Sequence, residues 1–213
     1  MKLNPELLAK VAGVESIDPA LDERIDRFAA KVAATNQKIN LVSRAKDVPA
    51  EIDLQILISL AASPLIRKLG PVQTCVDVGS GGGFPAIPLA ILHPAIEFTL
   101  VEATTKKAYF LERTAQELGL ENVSVINDRF ENLNTTPCDL FSLKAVTDIS
   151  PAFDWVAKAL NQNGSFLTFR PYPVDQTWQE STMRSGFEQI EALHLKSLLD
   201  IDNLEIVVFK KTR

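Results

Sequence analysis

The chain has 213 residues, of which 46% are hydrophobic and 23% charged, and this composition allows one globular domain with a sizeable core. The formal net charge of −5 at pH 7 argues against a nonspecific nucleic-acid-binding protein, because such proteins rely on a strongly basic surface. No run of about 18 consecutive apolar residues is present and Pro5 and Glu6 interrupt the N-terminus, so we expect a cytoplasmic protein without a membrane span or signal peptide.

The first part of the chain predicts a helical N-terminal extension. Asp18-Pro19 has the pattern of a helix N-cap followed by proline at the first helical position. Three helices are expected here, over residues 4–12, from 19 to about 37, and over about 48–68. We therefore divide the chain into an extension of residues 1–68 and a second domain of residues 69–213.

From Val72 onward, apolar runs alternate with helical patterns. Strands are expected over residues 72–78, 97–103, 123–128, 139–146, 165–170, 188–196 and 205–210. Helices are expected over residues 85–93, 106–120, 151–160 and about 176–185. This alternation predicts an α/β fold with a mostly parallel, Rossmann-like sheet, whose ligand crevice lies at the carboxyl ends of the strands.

A glycine-rich turn follows the first predicted strand, in the segment DVGSGGGFPAIP of residues 77–88. The dinucleotide fingerprint GxGxxG would need a glycine where Phe84 stands. In its other register, Pro85 and Pro88 would offer no N–H groups to a pyrophosphate. The spacing present instead resembles the first motif of S-adenosylmethionine-dependent methyltransferases, in which the turn makes room for the methionine and ribose portions of the cofactor. Glycines that serve only tight strand–helix packing are the alternative.

Two acidic residues follow the next strands. Glu102 is placed to accept hydrogen bonds from two ribose hydroxyls, a role that serves NAD and S-adenosylmethionine alike. Asp128 suits an adenine amino group or another N–H donor. These positions predict a nucleoside-like ligand at the crevice.

The remaining inventory of reactive residues is sparse. The Asn/Asp-Pro-Pro-Tyr/Phe motif of amino-methylating enzymes is absent after the fourth strand, and Cys75 and Cys138 lie within strands rather than catalytic loops. We expect no metal site, because the chain has no Cys/His cluster. A ring nitrogen such as guanine N7 asks for little catalytic machinery, since its lone pair attacks directly and no proton has to leave. A small-molecule methyltransferase that relies on proximity stays open.

The segment DVGSGGGFPAIPLAI of residues 77–91 resembles the signature of the RsmG/GidB family of bacterial 16S rRNA guanine-N7 methyltransferases. The match includes Glu102, Lys106-Lys107, Asp128-Arg129 and Asn40-Leu41, and it covers nearly the whole chain. The resemblance implies a class I methyltransferase fold with a seven-stranded sheet, S-adenosylmethionine as cofactor, and 16S rRNA or the small ribosomal subunit as partner. We expect a monomer.

The resemblance also implies site residues. Family cofactor contacts carry over to Gly79, Phe84, Phe130, Glu131 and Lys144. Together with the motif residues, the expected cofactor-binding set is Asp77, Gly79, Gly81, Phe84, Glu102, Asp128, Phe130, Glu131 and Lys144. Lys144 and Arg170 are expected to orient the base or its phosphate as catalytic residues. Apart from the resemblance, Arg24, Arg27 and Lys31 gather on one stripe of the second predicted helix and, with Lys106 and Lys107, are the expected RNA contacts. A solvated helix face with ordinary ion pairs is the alternative.

The chain departs from the family pattern mainly on the presumed substrate side. The departures are Thr35, Gln55, Ile58, Lys144, Arg170 and Pro171. Gln55 and Ile58 replace a His and an Asp, and Lys144 replaces an Arg and so lacks its bidentate geometry. These departures leave open a paralogue that methylates another RNA or a small metabolite, or a non-catalytic cofactor-binding protein of the ribosome or of RNA.

Overall fold

A computed structural model describes residues 3–42, 47–134, 137–144, 149–174, 178–180, 182 and 186–211 of the chain. Its helices are α1 (Pro5–Ala12), α2 (Pro19–Asn36), α3 (Val48–Leu60), α4 (Ser63–Lys68), α5 (Ala86–Leu92), α6 (Thr105–Leu118), α7 (Ser150–Ala159) and α8 (Lys196–Leu199), with a 3-10 turn at Phe130–Asn132. Its strands are β1 (Thr74–Val78), β2 (Glu97–Val101), β3 (Val123–Ile126), β4 (Cys138–Leu143), β5 (Leu160–Pro171), β6 (Phe187–His194) and β7 (Leu204–Lys211).

The strands form one seven-stranded sheet in the order β3-β2-β1-β4-β5-β7-β6. The strands β1 to β5 run parallel, and β7 runs antiparallel to both β5 and β6. The chain leaves β1 toward β2 and β3, and then returns to the other side of β1 with β4. This reversal places a topological switch point between β1 and β4, where open α/β sheets bind their ligands. The predicted Rossmann-like fold is confirmed.

The predicted elements differ from the structure mainly at their ends. The expected helix over 48–68 is two helices separated by a turn at residues 61–62. Pro64 lies in the first turn of α4, where the missing N–H of proline is tolerated but could not have continued α3. The strand expected over 139–146 is described only to Leu143, and of the helix expected near 176–185 only residues 178–180 and 182 are described. Both predictions otherwise lie outside the described residues.

Helices cover both faces of the sheet. On one face, side chains of the N-terminal helices such as Phe28 and Ile56 belong to the same core as Ile87 of α5 and Leu111 of α6. On the other face, a cluster rich in aromatic rings includes Phe153 of α7. The extension thus shares a core with the sheet. The division of the chain at residue 68 stays a prediction about where the helices give way to the sheet.

The segment Val48–Lys68 is long and apolar enough to span a membrane by length and composition, with a mean hydropathy of 1.3. However, 67% of the apolar 18-residue window within it is buried inside the protein, as expected of a helix that belongs to a core. Its length and composition are therefore weak evidence for a membrane span.

The connection after α2 lies directly against the glycine turn. The side-chain oxygen of Asn36 accepts hydrogen bonds from the backbone N–H groups of Leu41 (2.8 Å) and Val42 (3.1 Å), which closes this connection into a tight turn. The carbonyl oxygen of Leu41 would lie 2.7 Å from a Cβ atom placed on Gly82. Only a glycine allows the extension to approach the turn this closely.

We expect Asn36→Ala to lower the free energy of unfolding by about 1–3 kcal/mol, because it leaves two partly buried N–H groups without their acceptor. Asn40→Ala is the matched control: Asn40 is exposed in the same connection, and its loss should change stability by less than about 0.5 kcal/mol. Chemical denaturation of the two variants measures both values. Equal stabilities would show that the turn does not depend on Asn36.

Candidate functional site

The glycine turn begins where β1 ends, beside the end of β2. The N–H of Gly79 donates to the carbonyl of Val101 at 2.8 Å, which ties the turn to β2. Gly79 has a φ of +70°, in the left-handed region that favours glycine. A Cβ atom placed on it would have no heavy atom within 4 Å, so this position faces open space. The open space in front of Gly79 is the mouth of two cavities.

The larger cavity has a volume of about 400 Å³. It is lined by Val78, Gly79, Val101, Glu102, Ala103, Asp128, Arg129, Phe130, Glu131, Leu143, Lys144 and Trp155. The smaller cavity, of about 250 Å³, is lined by Leu41, Val42, Glu51, Gln55, Gly79, Ser80, Gly81, Gly82, Phe84 and Lys144. The two cavities share Gly79 and Lys144, so they meet at the ends of β1 and β4.

Glu102 is the polar anchor of the larger cavity. One carboxylate oxygen accepts from the N–H of Gly81 (2.9 Å) and the other from the N–H of Thr104 (2.7 Å). Asn127 donates to the backbone carbonyl of Glu102 at 2.8 Å. Since an ionised carboxylate has about four lone-pair sites, both oxygens keep acceptor capacity for hydroxyl groups in the cavity.

The far side of the larger cavity combines an aromatic wall with a carboxylate. The ring of Phe130 packs edge-on against Phe141, with centroids 5.3 Å apart, and lies 6.2 Å from the ring of Trp155. Asp128 is held by hydrogen bonds from the side chain of Asn132 and the N–H of Arg129, both at 2.7 Å, and these bonds lower its pKa. This wall offers a flat aromatic surface and an acceptor at its rim, which suits an adenine ring.

Asp77 does not line either cavity; it lies buried in β1, two residues before Gly79. Ser142 donates to one of its carboxylate oxygens, while the other, Oδ2, has no hydrogen-bond partner within the described part of the chain. Burial raises the pKa of Asp77 to about 6, against the opposing effects of its hydrogen bonds and of Lys144. A positive charge that enters the cavities would stabilise the ionised form of this buried carboxylate.

Lys144 follows β4 and lies at the junction of the two cavities. Its ammonium group donates to the side-chain oxygen of Gln55 and lies 5.5 Å from the ring centroid of Phe84 and 5.6 Å from that of Phe169. Burial lowers its pKa to about 8, although Asp77 and Glu51 oppose this effect. Lys144 is therefore a cation that titrates near neutral pH at the point where the cavities meet.

Two residues of α3 that the sequence analysis did not select for the site belong to the smaller cavity. The side-chain amide of Gln55 donates to Glu51 at 2.8 Å and accepts from Lys144, so the three side chains form a chain of hydrogen bonds. The positions of Glu51 and Gln55, four residues apart, put them on one helix face, and this spacing was the available signal. In the sequence, Gln55 stands out only as a departure from the family's histidine.

Arg170 lies away from this crevice, beside a third cavity. Its guanidinium donates to Glu205 (2.6 Å) and to Gln189 (2.8 Å), and it lies 5.8 Å from the ring centroid of Trp178. Arg170 and Glu205 form an ion pair whose side chains are only 8% and 7% exposed. Arg170 lines neither of the two cavities that meet at Lys144. The contacts of Arg170 join β5, β6 and β7.

The expected RNA contacts are also partly engaged within the protein. Lys31 forms an ion pair with Glu117 at 2.5 Å, and Arg27 donates to the backbone carbonyl of Glu117, so both cations join α2 to α6. The salt bridge lowers the pKa of the Glu117 carboxyl. Lys106 is exposed in the first turn of α6. A role for these residues in RNA binding stays a prediction.

These features fit the expected cofactor. Gly79 presents open space, Glu102 keeps acceptor capacity for ribose hydroxyls, and the unpartnered oxygen of Asp77 suits the positive charges of S-adenosylmethionine. Eight of the nine expected cofactor residues border the two cavities, and the ninth, Asp77, lies behind the turn that the cavities share.

Comparison with known proteins agrees with this assignment. The family model described as rRNA small subunit methyltransferase G matches residues 21–206. A protein named ribosomal RNA small subunit methyltransferase G from Neisseria gonorrhoeae is 36% identical over 163 residues, which cover 75% of this chain and 77% of the relative. A protein of the same name from Aromatoleum aromaticum is 34% identical over 181 residues, or 82% of each chain.

The fold is also similar to that of a SAM-dependent methyltransferase from Aquifex aeolicus. The two structures superpose with a TM-score of 0.56 at 11% identity, over 70% of this chain and 88% of the other. At this level of identity the likeness concerns the fold alone.

We expect Gly79→Ala to weaken the binding of S-adenosylhomocysteine by at least about tenfold, because the added methyl group would project into the space that the ligand needs. Gly70→Ala is the matched control: Gly70 also has a positive φ and open space around it, but it lies outside both cavities. Both variants should lose similar stability, while calorimetry should show the loss of affinity only for Gly79→Ala. Equal affinities would remove Gly79 from the binding site.

We expect Arg170→Met to lower the free energy of unfolding by about 3–5 kcal/mol, because it leaves the buried Glu205 without its partner. The affinity for S-adenosylhomocysteine should not change. The double variant Arg170→Met, Glu205→Met should recover part of the stability, since it removes both buried charges. A stable Arg170→Met protein with impaired methyl transfer would instead place Arg170 in contact with substrate.

Proposed function

The chain belongs to the rRNA small subunit methyltransferase G family, and we propose that it transfers a methyl group from S-adenosylmethionine to N7 of a guanine in 16S rRNA. We further propose that it acts as a monomer in the cytoplasm, on 16S rRNA or on the small ribosomal subunit that contains it. The observation that carries the proposal is the meeting of the two cavities at Gly79 and Lys144. The larger cavity has the features of an adenosine site, and the methyl group and its acceptor would meet where the two cavities join.

In this proposal, the larger cavity holds the adenosine part of the cofactor, and the glycine turn beside the smaller cavity borders its methionine part. The backbone N–H groups of Gly81 and Thr104 already orient the carboxylate of Glu102, which accepts hydrogen bonds from the ribose hydroxyls. Phe130 and Glu131 border the adenine, and Asp128 accepts a hydrogen bond from the adenine amino group. When bound, S-adenosylmethionine supplies a methyl group made electrophilic by its sulfonium. Asp77 stabilises this positive charge from behind the turn once its carboxyl group is ionised.

The chain's remaining task is to position the acceptor. The lone pair of guanine N7 lies in the plane of the ring and attacks without losing a proton, so the site needs no general base. Lys144 lies where the cavities meet and can hold the base in place. Holding the two reactants in line accounts for most of the expected rate enhancement.

Mapping of 16S rRNA tests the proposal. Small subunits from a strain that lacks the gene should gain one N7-methylguanine, detected by mass mapping and by primer extension after cleavage at the modified base, when they are incubated with this protein and S-adenosylmethionine. Methylation of a different RNA or a metabolite would favour a paralogue. Binding of S-adenosylhomocysteine without any transfer would favour a non-catalytic protein, and no binding would refute the methyltransferase assignment.

We expect kcat/KM for methyl transfer to rise with pH through about 6 and to fall again through about 8. The raised pKa of Asp77 means that its carboxyl is neutral and ineffective below about 6, whereas the lowered pKa of Lys144 means that its amine loses its charge above about 8. A pH profile measured under single-turnover conditions shows both limbs.

Two variants test which residue produces each limb of the pH profile. Asp77→Asn should flatten the acid limb, and Lys144→Met should remove the alkaline limb while also lowering the rate. If Asp77→Asn keeps an unchanged acid limb, another group such as the RNA itself titrates there.

A further inference from the structure

An exposed tyrosine stands on the outer face of α6. In the described part of the chain, the exposed large hydrophobic side chains are Tyr109, Tyr172 and Ile190, and Tyr109 is the most exposed at 63%. Its neighbours Ala108 and Phe110 are buried, so the helix is anchored in the core while this ring faces solvent. Among the described residues, the ring of Tyr109 packs against no other aromatic ring. A single exposed ring is common on protein surfaces, so its surroundings decide what it can bind.

Cations flank this ring on the same helix face. Lys106 lies three residues before Tyr109 and Arg113 four residues after it, which puts the three side chains within about 60° of one another around the helix. Arg113 forms an ion pair with Glu117 at 3.5 Å, between side chains that are 47% and 45% exposed. A pair this exposed is weak, so the guanidinium can exchange the carboxylate for a phosphate. Glu112 also lies on this face and reduces its positive charge.

Helix α2 adds further positive charge beside this face. Lys31 pairs with the Glu117 carboxylate at 2.5 Å, and Arg27 donates to the backbone carbonyl of the same residue. Together with Arg113, three cations therefore converge on one carboxylate where the two helices meet. This local excess of positive charge favours an anionic partner, although the whole chain carries a net charge of −5. The α2–α6 surface, as we call it, consists of Arg27, Lys31, Lys106, Tyr109 and Arg113.

The α2–α6 surface begins beside the crevice. Ala103 lines the larger cavity, and α6 begins two residues later at Thr105. The N–H of Thr104, the N-cap residue of α6, donates to the Glu102 carboxylate, which lines the same cavity. At about 1.5 Å per residue, Tyr109 lies about 6 Å along the helix from its first residue. A nucleotide chain that delivers a base to the crevice can therefore continue over this surface.

The composition of this surface matches a single RNA strand. Unpaired bases expose their faces and stack on aromatic side chains, whereas bases inside a duplex are closed to a ring on the outside of a helix. Cations beside such a ring contact the phosphates that link the bases. A protein partner would instead favour a contiguous apolar patch, but the exposed residues next to Tyr109 on its face are charged. The surface therefore favours single-stranded RNA over a protein.

We propose that the α2–α6 surface binds a single-stranded segment of 16S rRNA next to the target guanine. Tyr109 stacks on an unpaired base of this segment, and Lys106 and Arg113 contact the phosphates on either side of it. This inference rests on the proposed function and adds to it the surface that holds the RNA outside the crevice. The new contacts are Tyr109 and Arg113.

Binding to the small subunit tests the inference separately from methyl transfer. Small subunits from a strain that lacks the gene are titrated with the protein in the presence of S-adenosylhomocysteine, and Kd is measured by filter binding. Tyr109→Ala should weaken binding about 5- to 100-fold, as expected for the loss of one stacked base. Tyr109→Phe keeps the ring and should bind within about twofold of the unaltered protein. Tyr109→Leu should bind as weakly as Tyr109→Ala, because apolar bulk without an aromatic face does not replace stacking.

Kinetics and salt dependence separate the two kinds of contact. Tyr109→Ala should raise KM for the small subunit and leave kcat within about twofold, since Tyr109 lines neither cavity. Arg113→Gln should reduce the slope of log Kd against log salt concentration by about one, as expected for the loss of one phosphate contact.

Two variants outside the α2–α6 surface are the controls. Lys10→Gln removes an exposed cation of α1, and Ile190→Ala truncates an exposed apolar side chain of β6. Both should bind the small subunit like the unaltered protein, with the same salt slope. Thermal unfolding of each variant with S-adenosylhomocysteine shows whether it is folded and binds the cofactor product.

The outcomes are distinguishable. Equal affinities of Tyr109→Ala and the unaltered protein would overturn the inference, while methylation of guanine N7 would still support the proposed function. Retained affinity in Tyr109→Leu would also overturn it, because an apolar contact with a ribosomal protein would then carry the binding. If Tyr109→Ala weakens binding but the unaltered protein transfers no methyl group, the inference stands and the proposed function fails. No binding by the unaltered protein refutes the inference.

Discussion

The site depends on a stretch of backbone that is approached from two sides. On one side, the Leu41 carbonyl comes so close to the turn that a Cβ atom on Gly82 would lie 2.7 Å from it. On the other side, Gly79 leaves open the space where the two cavities meet. Side chains at these two positions would push away the extension or fill the binding space. The glycines therefore serve packing and binding at different positions of one short turn.

This arrangement makes the N-terminal helices part of the site. Asn36 closes the connection after α2, which lies against the glycine turn. Helix α3 brings Glu51 and Gln55 to the smaller cavity, which residues at the ends of β1 and β4 also line. A Rossmann-like sheet supplies the cofactor side in many enzymes of different substrate preference. Here the extension contributes Leu41, Val42, Glu51 and Gln55 to the smaller cavity, so both the extension and the sheet border the crevice.

The structure also changes the meaning of the substrate-side departures. Gln55 replaces the family's histidine, but its side chain accepts a hydrogen bond from Lys144 and donates one to Glu51, so the three residues form one local network. Arg170 belongs to a buried ion pair with Glu205 in the antiparallel part of the sheet. Gln55 borders the crevice, whereas Arg170 lies outside it, and the expected role of Arg170 toward the substrate stays a prediction.

The sequence by itself determined the α/β class, the order of the elements and which residues border the crevice at the ends of β1 and β2. Those features depend on local signals, such as the Asp18-Pro19 helix start, the glycine turn after β1, and an acid at the end of β2. Gly79 and Glu102 could be predicted because parallel strands bring their carboxyl ends to one edge of the sheet. The tertiary structure alone decided which polar side chains meet across the crevice. Lys144 and Gln55 are 89 positions apart along the chain, and only the packing of α3 against the sheet brings them into contact.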